Sequence, residues 1–110
     1  MNTDAIVDEL VAEGLDDWVP VDTVIGAARE AADAAGVDFR GLTVTVLERL
    51  IVGGLMVAGD IGEDGFESWP DPAPEMVRKV VAQVESFDWT PLGGACWLAN
   101  TAAGDERARG

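Results

Sequence analysis

The chain contains no histidine and no tyrosine, and its only cysteine is Cys96. A nucleophilic cysteine needs a neighbouring base or positive charge that lowers the pKa of its thiol. Because histidine is absent and Cys96 lies between Ala95 and Trp97, we expect a packed, unreactive thiol. A single cysteine also cannot form an internal disulfide, and zinc lacks its usual nitrogen and sulfur ligands. The acidic segment 60–65 does not match the calcium-binding EF-hand loop. We therefore expect no catalytic residue, no metal, no cofactor and no enzymatic activity.

Positive charge is scarce: seven basic residues stand against 21 acidic ones, Lys79 is the only lysine, and the net charge is -14. Such a surface repels phosphate backbones and anionic lipids, and it suits either solubility or a basic protein partner. Long apolar runs are missing too, and none approaches the roughly 20 residues that span a bilayer. The acidic start of the chain, MNTDAIVDEL, lacks the features of a signal peptide. We expect a cytoplasmic protein that does not bind membranes.

The 110 residues suffice for one domain, predicted over 1–110. Apolar residues recur at helical spacing in four segments, and short β-rich runs occur in two. We expect Gly14, Gly36 and the pair Gly53-Gly54 to end the first three helices. The helices are predicted at about 3–13, 21–35, 42–52 and, after Asp71-Pro72, up to Phe87; the strands are predicted at 55–61 and 95–99, with a loop at 62–74.

The two predicted strands are separated by a long segment, about 62–94, that includes the fourth helix. Two strands alone are marginal, so we expect 55–61 to pair antiparallel with 95–100, helped by a short stub around Trp18 and Val19. The fold class is therefore predicted to be α+β: three N-terminal helices, a small antiparallel sheet with a helical insert, and a short C-terminal helix.

Two local motifs carry a resemblance to a known fold. The segment LERLIVGGLMVAG (47–59) is similar to the end of the third helix and the first wing strand of a winged helix-turn-helix domain. The segment WLANTAAGDERAR (97–109) is similar to the returning wing strand, which ends in Thr-x-x-Gly, here Thr101 to Gly104. The chain also resembles small acidic actinobacterial proteins of unknown function. It departs from the winged-helix pattern at 62–94, where a short hairpin is usual.

The resemblance implies DNA binding through the third helix, with Arg40, Thr43, Thr45 and Arg49 as candidate contacts. Glu48 would oppose the DNA backbone, and the basic residues are scattered rather than gathered on one face. Net charge thus disfavours a DNA partner.

Aromatic residues around the insert are the best indication of an interaction site. Phe66, Trp69 and Trp89 flank the fourth helix. They either attach that helix to the domain or remain partly exposed as anchors for a partner. The docked insert could also form a homodimer surface.

The leading functional hypothesis is a non-catalytic, acidic protein-interaction or regulatory module on a winged-helix-like scaffold. One alternative is a transcription regulator that reads DNA through the third helix. Another is an acidic inhibitor, such as an immunity-type protein or a DNA mimic, whose carboxylates cover a basic partner surface.

Overall fold

A computed structural model describes residues 3–110, in which five helices and four strands form an α+β fold, as expected. The helices are α1 (Thr3–Asp16), α2 (Val21–Ala35), α3 (Phe39–Ile51), α4 (Ala73–Ser86) and α5 (Ala102–Arg109). The strands are β1 (Val19–Pro20), β2 (Met56–Gly62), β3 (Gly65–Ser68) and β4 (Trp97–Asn100).

The first two helices follow their apolar spacing. The apolar faces of α1 and α2 are buried, except that Ala31 of α2 is only partly buried, and Gly36 ends α2 in the left-handed conformation at a φ of 71°. The prediction that Gly14 ends α1 is wrong, because the helix continues to Asp16. At Gly14 the side chain of Asn100 packs directly against the helix backbone.

Helix α3 begins at Phe39, three residues before its predicted start at Leu42. Arg40 and Gly41 thus belong to its first turn. Phe39 is partly buried against the core.

All four strands form one antiparallel sheet in the order β1-β4-β2-β3. The predicted pairing of the two longer runs is confirmed, since Met56 lies opposite Asn100 and Ala58 opposite Leu98. The predicted stub is confirmed as well, because Val19 of β1 lies opposite Leu98, on the edge of β4 that faces away from β2. The C-terminal strand therefore occupies an interior position between β1 and β2.

The predicted loop at 62–74 is wrong in its first part, because β3 (Gly65–Ser68) forms a hairpin with β2. Gly62 and Gly65 are paired, so a two-residue turn of Glu63 and Asp64 joins the strands. Gly65 has a φ of 111°, which other residues rarely adopt. The strand contains no β-branched residue, which explains why its sequence resembled a loop. The insert thus holds a strand as well as a helix.

Helix α4 starts near the expected position but without a side-chain cap. Asp71, just before this helix, pairs with Lys79 at 3.3 Å. The inner face of α4 is buried against the rest of the molecule, and the backbone N–H of Ala58 donates to the Met76 sulfur at 3.1 Å. One hydrophobic cluster includes side chains from α1, α2, α3 and α4 and from the sheet.

The two motifs that carried the fold resemblance meet in space. Thr101 donates from its hydroxyl to the carbonyl of Gly54 at 2.6 Å, and its backbone N–H donates to Leu55 O at 3.0 Å. The same hydroxyl accepts from the N–H of Gly104 at 3.1 Å and so caps α5. A Cβ on Gly104 would collide with the Leu55 carbonyl. The threonine and the glycine of this motif thus allow the start of α5 to pack closely against the backbone that leads into β2.

In the described part of the chain, every helix is too short or too polar to span a bilayer.

Candidate functional site

The two threonines proposed to contact DNA have different environments on α3. Thr43 is fully buried, and its hydroxyl donates to the Phe39 carbonyl at 2.7 Å. Thr45 is exposed, and its hydroxyl donates to the Gly41 carbonyl at 3.1 Å. Because Thr43 has no surface to present, it is unsuited to the DNA contact that the resemblance implied.

The two arginines of α3 are exposed but have acidic partners. Arg40 lies 3.7 Å from Asp38 and also packs over the Phe39 ring, 4.8 Å from its centroid. Arg49 forms an ion pair with Asp4 of α1, and this guanidinium lowers the pKa of the Asp4 carboxyl. Both cations that would approach a phosphate backbone are therefore engaged by carboxylates of their own chain.

Trp89 is buried beyond the C-terminal end of α4. Its ring meets Phe39 edge-on with centroids 5.9 Å apart, and the Arg29 guanidinium lies 3.9 Å from the Phe39 centroid. Arg29 also donates to the Trp89 carbonyl at 3.5 Å. Asp88, Trp89 and Leu92 all have positive φ, so this connection is conformationally constrained.

Trp69 is buried before the N-terminal end of α4. Its indole N–H donates to Asp60 Oδ2 at 2.9 Å, and the Lys79 ammonium lies 4.3 Å from the ring centroid. The burial of Trp69 and Trp89 agrees with attachment of the insert and leaves little indole surface for a partner. Phe66, the third candidate, is partly buried on β3.

An apolar groove lies between α3 and α4, with a volume of about 500 Å³. Val52, an exposed apolar residue of the groove, has 54% of its surface accessible. We call this feature the α3–α4 groove; its apolar lining consists of Val44, Val52, Pro74, Val77, Val81 and Ala82. A neighbouring hollow of about 420 Å³ shares Glu48 and Val52 with it and extends the surface along α3.

The rim of the α3–α4 groove is negative. Glu48 and Glu85 border it, and within residues 3–110 neither carboxylate forms an ion pair. The one basic residue of the rim, Arg78, is paired with Glu75. The groove thus combines apolar surface with acidic groups that are available to a cation.

The α3–α4 groove could not be predicted from the sequence, because it depends on how α4 packs against α3. Val81 continues the apolar face of α4, but it is only partly buried and lines the groove. Val52, expected as the last residue of a helix, follows α3 on the exposed side. The apolar residues of α4 have the ordinary spacing of one buried face, so the sequence alone gave no signal that Val81 stays partly accessible.

Cys96 is buried, and burial raises the pKa of its thiol to about 12. The thiol is therefore neutral at physiological pH and lacks the activation that nucleophilic catalysis requires. Across residues 3–110, no three acidic or cysteine side chains are grouped so as to hold a metal ion.

Comparisons with protein-family models, with curated proteins and with solved structures found no match to this chain.

Proposed function

We propose that this protein is a non-catalytic protein-interaction module, built on a winged-helix-like scaffold, that binds an amphipathic helix of a partner protein in the α3–α4 groove. The scaffold assignment rests on the element order, with three helices, a stub strand, and a late strand that inserts between the stub and β2. The observation that carries the function is the groove itself, which borders the helix that would enter DNA in a winged-helix regulator.

The shape and charge of the groove favour a helical, basic occupant. Helices α3 and α4 form the two sides of the groove. Amphipathic helices bind such grooves through apolar residues spaced by three and four positions. Glu48 and Glu85 would pair with lysine or arginine beside that apolar face. A second copy of this chain is a poorer occupant, since each copy has a net charge of -14.

DNA is also a poorer ligand for this surface. Its affinity depends on several phosphate contacts made by lysine or arginine. Here Arg40 and Arg49 face carboxylates, Thr43 is buried, and Glu48 would lie near the DNA backbone.

A direct test uses a labelled synthetic helix of about four turns, with leucines on one face and lysines on the other. We expect binding by fluorescence anisotropy, with NMR shifts at groove residues, and weaker binding when glutamates replace the lysines. Val52→Asn should weaken binding about tenfold, because a buried valine contributes about 1.5–3 kcal/mol. The matched control is Val37→Asn, since Val37 is a similarly exposed valine (48% accessible) outside the groove.

Two outcomes would contradict the proposal. If both valine variants bind the peptide as well as the parent protein does, the groove is not the site. If the protein instead binds a random DNA duplex at low salt, and Arg40→Ala with Arg49→Ala removes that binding, the regulator alternative replaces ours.

A further inference from the structure

A second surface of distinct character lies on the outer face of the sheet. Directly opposed residues of paired strands share a face. Ala58 and Leu98 are opposed and fully buried, so they belong to the inner face. Their neighbours along the strands therefore lie on the outer face, where Gly59 is opposite Trp97.

Aromatic and aliphatic side chains cover part of this outer face. Phe66 is opposite Ile61, whose side chain is 42% accessible. Trp18, 40% accessible, packs beside Phe66 with ring centroids 6.2 Å apart and planes inclined by 32°. The Phe66 ring lies over the backbone of Gly59, where a Cβ would come within 2.9 Å of it. Two aromatic rings thus lie side by side on the outer face, where Trp18 and Ile61 are exposed.

The segments around these rings contain only negative charge. Residues 15–20 and 56–68 include no lysine or arginine. The exposed acids among them are Asp16, Asp17, Asp60, Glu63, Asp64 and Glu67. In the described part of the chain none of these six forms an ion pair, since every ion pair there involves carboxylates of other segments. Carboxylates without cations next to aromatic faces are suited to guanidinium or ammonium groups.

Strand β3 provides the backbone for such a ligand. It is an edge strand of the sheet, and among the described residues its backbone pairs in strand fashion only with β2. An edge strand with free N–H and C=O groups accepts another extended chain, which adds to the sheet.

We propose that the β3 edge and the adjoining rings of Trp18 and Phe66 bind an extended, arginine- or lysine-bearing segment of a partner protein. The segment adds alongside β3, its cations face Glu63 and Asp64 in the turn, and one of them packs on the exposed ring of Trp18. A second copy of this chain would instead place two sets of these acids side by side. This site is separate from the α3–α4 groove and does not depend on the function proposed for it.

The experiment titrates the full chain with a short synthetic peptide that alternates arginine and valine, by calorimetry and by NMR. Its control is the same peptide with glutamate replacing arginine. We expect the arginine peptide alone to bind, with backbone shifts in 65–68 and a shift of the Trp18 indole. The double variant Glu63→Gln/Asp64→Asn should weaken binding about tenfold at low salt, and this difference should shrink as salt is added.

The matched control is Glu9→Gln/Glu13→Gln, which removes the same charge from the exposed surface of α1. If both double variants weaken binding equally, the peptide senses only net charge and the proposal is overturned. Absence of binding at low salt would overturn it as well. Shifts in 65–68 that grow with protein concentration, without peptide, would show that the edge pairs with a second copy.

Discussion

For the substitution Gly14→Ala, helix propensity predicts a gain in the free energy of unfolding, whereas tertiary packing predicts a loss. Replacing glycine by alanine inside a helix is favourable by up to about 1 kcal/mol. At Gly14, however, the new Cβ would come within 2.6 Å of Asn100 Cγ. Asn100 would have to move, although its amide donates to Val11 O at 2.9 Å and to Asp105 Oδ1 at 3.0 Å.

The cost follows from those two hydrogen bonds. The bond to the Val11 carbonyl contributes about 1 kcal/mol, and the bond to the Asp105 carboxylate about 1.5 kcal/mol or more. Subtracting a propensity gain of about 0.5–1 kcal/mol leaves Gly14→Ala less stable by about 2 kcal/mol. The matched control is Gly26→Ala in α2, where nothing lies within 4 Å of the new Cβ. That variant should be more stable than the parent by up to about 1 kcal/mol.

Urea unfolding followed by tryptophan fluorescence measures both variants. A double-mutant cycle isolates the cause: in an Asn100→Ala background, Gly14→Ala should become stabilising, because the clash is gone. The reasoning is refuted if Gly14→Ala is as stable as Gly26→Ala in the parent background. It is also refuted if the loss persists unchanged in the Asn100→Ala background.

Three further predictions concern stability and reactivity. Thr101→Ala should lower the free energy of unfolding in urea by about 1–2 kcal/mol, because the α5 cap and the hydrogen bond to Gly54 are lost. Thr101→Ser should recover most of this loss. An equal loss in the exposed Thr45→Ala would contradict the capping role. Trp69→Phe should lose about 1.5 kcal/mol, since its N–H bond to the Asp60 carboxylate disappears, and an unchanged unfolding midpoint would count against that bond. Because the folded pKa of Cys96 is raised from 9.0 to about 12, its neutral thiol supports the fold fully below pH 9, and this support is lost as pH rises toward 12. The parent should therefore lose more stability than Cys96→Ala across that window, and native Cys96 should resist alkylation at pH 8; parallel stability curves would contradict this account.

Sequence periodicity predicted the elements whose signals are local. The buried face of α2 and its end at Gly36 follow from spacing and from the left-handed conformation that glycine tolerates. Pairing of β2 with β4 followed from the need of two short strands to bury one face.

Features that depend on distant contacts escaped prediction. Gly14 resembled a helix end, but its role is to admit Asn100 from the far end of the chain. Thr43 and Thr45 are two residues apart, so they point to different sides of α3, and only its packing shows which side is buried. The α3–α4 groove exists only once α4 has docked, so the sequence alone could not show that its lining residues form one surface.

The position of β4 has a consequence for how the protein is made. Strand β4, one of the two interior strands, is translated after the other three described strands, and β1 has no strand partner but β4 in the described structure. A nascent chain that ends before Trp97 can form α1, α2 and α3 and the β2–β3 hairpin, yet β1 and one edge of β2 stay open. Open edges of this kind are sites of aggregation. Commitment to the native sheet therefore waits until Trp97–Asn100 has been synthesised, and a product that stalls before β4 is the form most in need of a chaperone.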